Sequence, residues 1–226
     1  MLQYSLNRIG DSVLISLAAS TTFSCEYWRR WKTLLFMLYD QQGNRKYLTR
    51  SERQAFMDAA RRAPAPVETF CLTLAYTGAR ISEVLALNPL RIDTSANAVI
   101  IESLKKRKRG VYRAVPVPAE LLLRLNEVHA IENLRCNPEL NQSRIWVWSR
   151  TTAWNRVKTV MRAGGIVEGP AMPKALRHAF GVGGTQTGVP LNIIQRWLGH
   201  ADIQTTAIYT DVMGDEERVL ADRMWI

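Results

Sequence analysis

The chain has 226 residues, 47% of them hydrophobic and 22% charged, which is ordinary globular usage; it can bury a full core and has no proline-rich or serine-rich tract of the kind that stays unfolded. The 30 Lys and Arg outnumber 20 Asp and Glu, and the resulting charge of +10 makes a field that attracts polyanions. Nucleic acid is therefore the leading class of partner, with a basic enzyme lacking such a partner as the plainer alternative. No apolar stretch approaches the roughly 20 residues of a membrane span. The short apolar run at 13–19 follows Asp11 and a lone Arg8 in place of a basic cluster, so no secretory signal is expected either. Cys25, Cys71 and Cys136 are widely spaced without a CxxC pair, which fits a reducing cytoplasm.

Residues 1–45 are the least legible part, with one amphipathic helix suggested by Trp28, Trp31, Leu35 and Leu38 at helical spacing. "TRSE" has the form of a capping box, with Thr49 as N-cap and Glu52 reaching back, and predicts a helix to about Arg62. "APAP" ends it, and apolar residues at helical spacing then resume on either side of Thr77-Gly78, which reads as helix, tight turn, helix. "AVIIES" and "VYRAVPVP" are strand-like runs flanking "LKKRKRG", hence a hairpin with a strongly basic tip, its second strand put at an edge by Pro116 and Pro118. Pro118 opens a helix expected to run to about Leu134, with Leu121, Leu122, Leu125 and Val128 on one face. Trp146, Trp148 and Trp154 read first as packing residues, and a helix over 151–163 is stopped by Gly164 and Gly165. The last part predicts a helix to about Thr187, a turn at Gly188, a helix to Leu198, a turn at Gly199 and a short helix around 205–209. The sum is a mainly α fold with a small antiparallel β-sheet, in the α+β class.

Four groups sit at helix edges or turns where a solvated face is not the natural explanation. They are Arg80 after the glycine turn, the hairpin lysines, Arg177 in a helix, and His200 with Tyr209. A guanidinium inside an apolar segment is costly unless paired, so Arg80 needs either Glu83 one turn on or a ligand. Taken singly, Tyr209 reads as an ordinary core or surface tyrosine, His200 as a helix cap and Arg177 as an ion-pair residue. Taken together those readings must also reproduce the order and spacing: His200 follows Arg177 by 23 positions and Tyr209 follows His200 by nine.

In that order and spacing the chain resembles the tyrosine recombinases, the phage-integrase family. "TGARISEVLAL" at 77–87 is similar to the family's first arginine box, and "ALRHAF" with "LGHADIQTTAIYTDV" to its second. The resemblance covers about 47–226 and implies the tyrosine recombinase catalytic-domain fold, preceded at 1–46 by a short helical segment in which no full core-binding domain is recognisable. It implies DNA cleavage by Tyr209 through a 3′-phosphotyrosyl bond, with no ATP, because the covalent link stores the energy of the broken ester. Arg80 and Arg177 would fork onto the non-bridging phosphate oxygens, a geometry that a lysine point charge imitates poorly. His200 would donate to the same phosphate. Lys105, 25 positions after Arg80, would protonate the leaving 5′ oxygen, with Lys106 and Lys108 as alternatives.

One position departs from the family. The second box there usually begins His-x-x-Arg, and this chain has Lys174 in "KALR". A protonated lysine donates but does not accept, so the proton of Tyr209 is left to water or to a Lys174 of depressed pKa. His178 is expected only to pack or support, and Glu83 to orient Arg80. No cofactor and no metal are expected: three histidines without a His-x-x-x-His pattern make no zinc site, and "GVGG" at 181–184 lies inside a helix. The expected partners are double-stranded DNA, further copies of the chain on that DNA and accessory DNA-binding proteins, with no membrane. A DNA-binding remnant or regulator that does no chemistry is the other functional reading.

Overall fold

A computed structural model of the chain describes residues 44–104 and 110–211 together with Leu38, Asp40 and Gln42. The expected helix through Trp28 and Trp31, the hairpin residues Lys105, Lys106 and Lys108, and the segment after 211 lie outside the described residues.

Helix α1 spans Arg50–Arg61 and begins as its sequence requires. The Glu52 amide donates to Thr49 Oγ1 (3.2 Å), the Thr49 amide donates to the Glu52 carboxylate (2.8 Å), and Arg45 forks onto that carboxylate with two contacts of 2.7 Å. Helix α2, Ala65–Thr77, is apolar around most of its circumference and runs through the core, where Phe70, Cys71, Leu74 and Ala75 are buried. It stops at Gly78, whose φ of +60° is left-handed; a side chain there would also press on the Phe180 ring at 2.8 Å. The turn leads directly through Arg80 into α3, Ile81–Leu85.

The hairpin forms as expected. Strands β2 (Ala98–Glu102) and β3 (Tyr112–Pro116) pair antiparallel in the register Val99↔Val115 and Glu102↔Tyr112. A two-residue strand β1 (Ile92–Asp93), too short to carry a period-two signature, adds on the other side of β2, so the proline-bearing β3 is an edge.

The helix after Pro118 is shorter than expected. α4 covers Ala119–His129, Ala130 adopts a left-handed φ of 51°, and α5 (Ile131–Cys136) leaves in a new direction. Neither glycine nor proline marks this break. It is held by tertiary contacts: Ile131 is fully buried, and Asn126 Oδ1 accepts the Glu132 amide at 2.9 Å.

Helix α6, Arg150–Ala163, ends at the glycines, and the core closes beneath it. Trp146 is buried edge-on to Phe70 at 5.3 Å and donates from Nε1 to the Pro66 carbonyl (3.0 Å), so packing accounts for it. Trp148 lies under the Arg156 guanidinium, and Trp154 remains exposed. Helices α7 (Pro173–Gln186), α8 (Leu191–Leu198) and α9 (Gln204–Ala207) follow, and a 3₁₀ turn, Ile208–Asp211, carries Tyr209 back against α7. No helix among the described residues is long and apolar enough to cross a membrane.

Candidate functional site

Three separate stretches meet at the N-terminal half of α7, namely the Gly78–Arg80 turn, the α8–Gly199–His200 turn and the 3₁₀ turn bearing Tyr209, and hairpin strand β3 packs against α8 beside them. Arg177 joins two of them. It is buried at 7% exposure, and its terminal nitrogens donate to the carbonyls of Gly78 (2.9 Å) and Leu198 (2.6 Å). Both partners are neutral dipoles, and among the described residues no carboxylate is in direct contact with this cation. Burial first, then the neighbouring Arg80, pulls its pKa down to about 10, which leaves it charged at neutral pH.

Arg80 is the more accessible guanidinium. It donates through Nη1 to Glu83 Oε1 at 2.8 Å, as expected for a carboxylate one turn on. Glu83 is 1% exposed and also serves a residue that sequence reasoning passed over. Arg113, on β3, donates from Nη2 to Glu83 Oε2 (2.7 Å), from Nη1 to Ser103 Oγ (3.1 Å) and from Nε to the Trp197 carbonyl (2.7 Å). One side chain thus fastens the strand before the basic tip, the first arginine's carboxylate and the end of α8 together. Its signal was available: 113, 115 and 117 alternate inward on an edge strand, and an arginine at an inward position is unusual. Despite burial, these cations hold the Glu83 carboxyl below its ordinary pKa.

Tyr209 is 1% exposed, seated among Val182, Ile194, Leu198 and Ile208. Its hydroxyl lies 3.2 Å from His178 Nδ1, its backbone carbonyl accepts from Thr185 Oγ1 (3.1 Å), and its ring stacks with His200 at a centroid distance of 6.4 Å. Burial raises the phenol pKa to about 12, against the pull of the Arg177 and Arg80 charges. The ring fits because residue 181 is glycine: a Cβ there would stand 2.6 Å from the Tyr209 Cζ.

His200 Nδ1 is 2.8 Å from Thr206 Oγ1. Burial and the charges of Arg177 and Arg80 push its pKa down to about 3, so the ring is neutral at working pH. His178 is pushed to about 3 as well, by burial and then by the Lys174 and Arg177 charges. Lys174 itself is exposed on the first turn of α7.

Of the residues singled out from sequence, Arg80, Lys174, Arg177, His200 and Tyr209 are brought together, and Lys105 lies outside the described residues. His178 does more than pack, since it touches the phenol oxygen. A helical face through 174, 177, 178 and 181 is the pattern that marks it. Among the described residues no three His, Cys, Asp or Glu side chains cluster as a metal site would require.

The sequence model of the phage integrase family matches residues 46–215. The XerD tyrosine recombinase of Mycobacterium tuberculosis (strain ATCC 25618 / H37Rv) is 35% identical over 149 residues, covering 59% of this chain and 44% of that protein. The XerD of Caulobacter vibrioides is 32% identical over 149 residues, covering 62% of this chain and 47% of its own. The chain thus spans less than half the length of these relatives. Among solved structures, XerA recombinase superposes with a TM-score of 0.64 at 24% identity over 79% of this chain and 64% of its own. A XerH recombinase bound to palindromic difH substrate in a post-cleavage complex gives 0.63 at 23% over 80% and 53%. These superpositions identify the fold as that of tyrosine recombinase catalytic domains.

Proposed function

Because the chain belongs to the phage integrase family, we propose that it is a site-specific DNA recombinase, cutting and rejoining double-stranded DNA through a 3′-phosphotyrosyl intermediate and acting as several copies on one DNA. The catalytic unit is assigned to residues 47–226. The observation that carries the reading is that Arg177 holds the Gly78 carbonyl of the turn leading to Arg80 and the Leu198 carbonyl of the turn leading to His200, whose ring stacks on the buried Tyr209.

Each residue has a task set by its chemistry. Tyr209 Oη attacks phosphorus and gives up its proton to water or to a deprotonated Lys174, the ester bond to the 5′ oxygen breaks, and Lys105 supplies the proton that lets that oxygen leave as a hydroxyl. Arg177, held by two carbonyls, and Arg80, partly exposed, neutralise the non-bridging oxygens as charge builds on them. Losing either guanidinium should cost on the order of 3 kcal/mol of transition-state stabilisation, about a hundredfold in rate. If the Thr206 hydroxyl donates to His200 Nδ1, the proton sits on Nε2, where a neutral ring can donate to the phosphate. Lys174 adds a further donor beside the same group. Rejoining reverses these steps when a 5′ hydroxyl from a second strand attacks.

The test is a nicked suicide substrate that traps the covalent complex. A protein–DNA adduct that is absent in Tyr209→Phe supports the recombinase. Site binding with no adduct at any protein concentration favours the non-catalytic alternative.

A further inference from the structure

With Lys174 where a histidine acceptor usually stands, the Tyr209 hydroxyl needs another partner for its hydrogen. We infer that His178 is a positioning residue for the nucleophile, its Nδ1 accepting the hydrogen bond of the Tyr209 hydroxyl and fixing where that oxygen points. This rests on the recombinase reading above and adds a residue to it.

The hydrogen-bond network decides the direction of the bond. His178 Nε2 is buried and has no partner among the described residues. If Nδ1 carried the ring proton and donated to the phenol oxygen, both Nε2 and the phenolic hydrogen would be left unsatisfied, since no other acceptor for that hydroxyl is present among the described residues. If the phenol donates to Nδ1, only the Nε2 hydrogen is orphaned. The second arrangement leaves fewer buried polar groups unpaired and is the one the packing selects.

Two features separate this role from ordinary packing. Burial, with the Lys174 and Arg177 charges, keeps the imidazole neutral, so one ring nitrogen stays unprotonated, and the pairing argued above makes that nitrogen Nδ1, 3.2 Å from the phenol oxygen. The orphaned Nε2 is also a stability cost, offset by the acceptor that the buried phenol hydrogen would otherwise lack. His178 also adjoins Arg177 on the rigid helix α7, so the phenol oxygen and the guanidinium are set in register by a single element.

The variants are His178→Asn, whose Oδ1 falls near the place of Nδ1, and His178→Leu, which fills space without an acceptor. On the nicked substrate at saturating protein, His178→Leu should form adduct on the order of a hundredfold more slowly, the usual consequence of a reacting group misplaced by about an ångström. Its DNA affinity should be unchanged and its melting temperature should shift little, because an orphaned Nε2 is exchanged for an orphaned phenol hydrogen. His178→Asn should recover to within about tenfold of the unmodified protein. Replacing the scissile 5′ oxygen by sulfur, which leaves without a proton, should not rescue His178→Leu, because the defect lies in attack. Three results overturn the inference while leaving the recombinase reading intact: His178→Leu cleaving at the unmodified rate, His178→Asn as slow as His178→Leu although folded and bound, or rescue by the sulfur substrate. Absence of adduct from the unmodified protein would count against the recombinase reading itself.

Discussion

Gly181 offers a sharp test of the nucleophile's seat, because its substitution adds one methyl group against the Tyr209 ring. A Cβ on α7 at this point would lie 2.6 Å from the Tyr209 Cζ, where ordinary contacts begin about an ångström further out. The ring cannot retreat by that much without loss: the Thr185 hydroxyl holds its backbone at 3.1 Å, His178 its hydroxyl at 3.2 Å, and Ile194 and Leu198 close the cluster around it. Overpacking of this kind costs about 1–3 kcal/mol, and the better helix propensity of alanine returns about 1 kcal/mol. Gly181→Ala should therefore lower the urea midpoint only modestly. Displacing the phenol by about an ångström should slow covalent trapping on a nicked site roughly a hundredfold. Band-shift affinity for the same DNA should hold, since no basic surface is altered. Adduct formation within threefold of the unmodified rate, with an unchanged midpoint, would refute the idea that this glycine shapes the site.

Truncating Arg113 to alanine removes one partner of a buried ion pair and strands much of the Glu83 charge, so urea denaturation should register a loss of about 3–5 kcal/mol; Arg113→Lys, which keeps the charge but not the fork, should recover only part of it, and full recovery would mean that the contacts to Ser103 and Trp197 are dispensable. Stability should also depend on acid. His178 and His200 are pushed from about 6.5 to about 3 in the fold, so between these values the unfolded chain binds protons that the folded chain refuses. The stability due to the neutral rings is complete above about pH 6.5 and is lost as pH falls toward 3. Urea midpoints taken from pH 7.5 to 4.5 should decline, less steeply in His178→Asn; a flat profile would contradict the neutral assignment. At the other extreme Tyr209 keeps its proton to about pH 12, so its share is lost as pH rises above 10.

Where residues close together in the chain decide the structure, the sequence was enough. The Thr49–Glu52 box, the glycine stop at residue 78, the hairpin and the Gly164 stop are contests among neighbours over a few backbone groups, and their residue types state the outcome. The ordered set Arg80, Arg177, His200 and Tyr209 was legible in the same way, because a fixed spacing is a property of the string. Only the tertiary structure could decide who pairs with whom across the core. Arg113 meets Glu83 across 30 positions and His178 meets Tyr209 across 31, and the left-handed bend at Ala130 is imposed by the burial of Ile131 with no turn residue to announce it. The physical reason is that burial turns weak polar preferences into requirements. In water a histidine beside an arginine can point anywhere, but once both are enclosed each polar atom must find a partner, and the packing of distant helices determines which atoms are within reach.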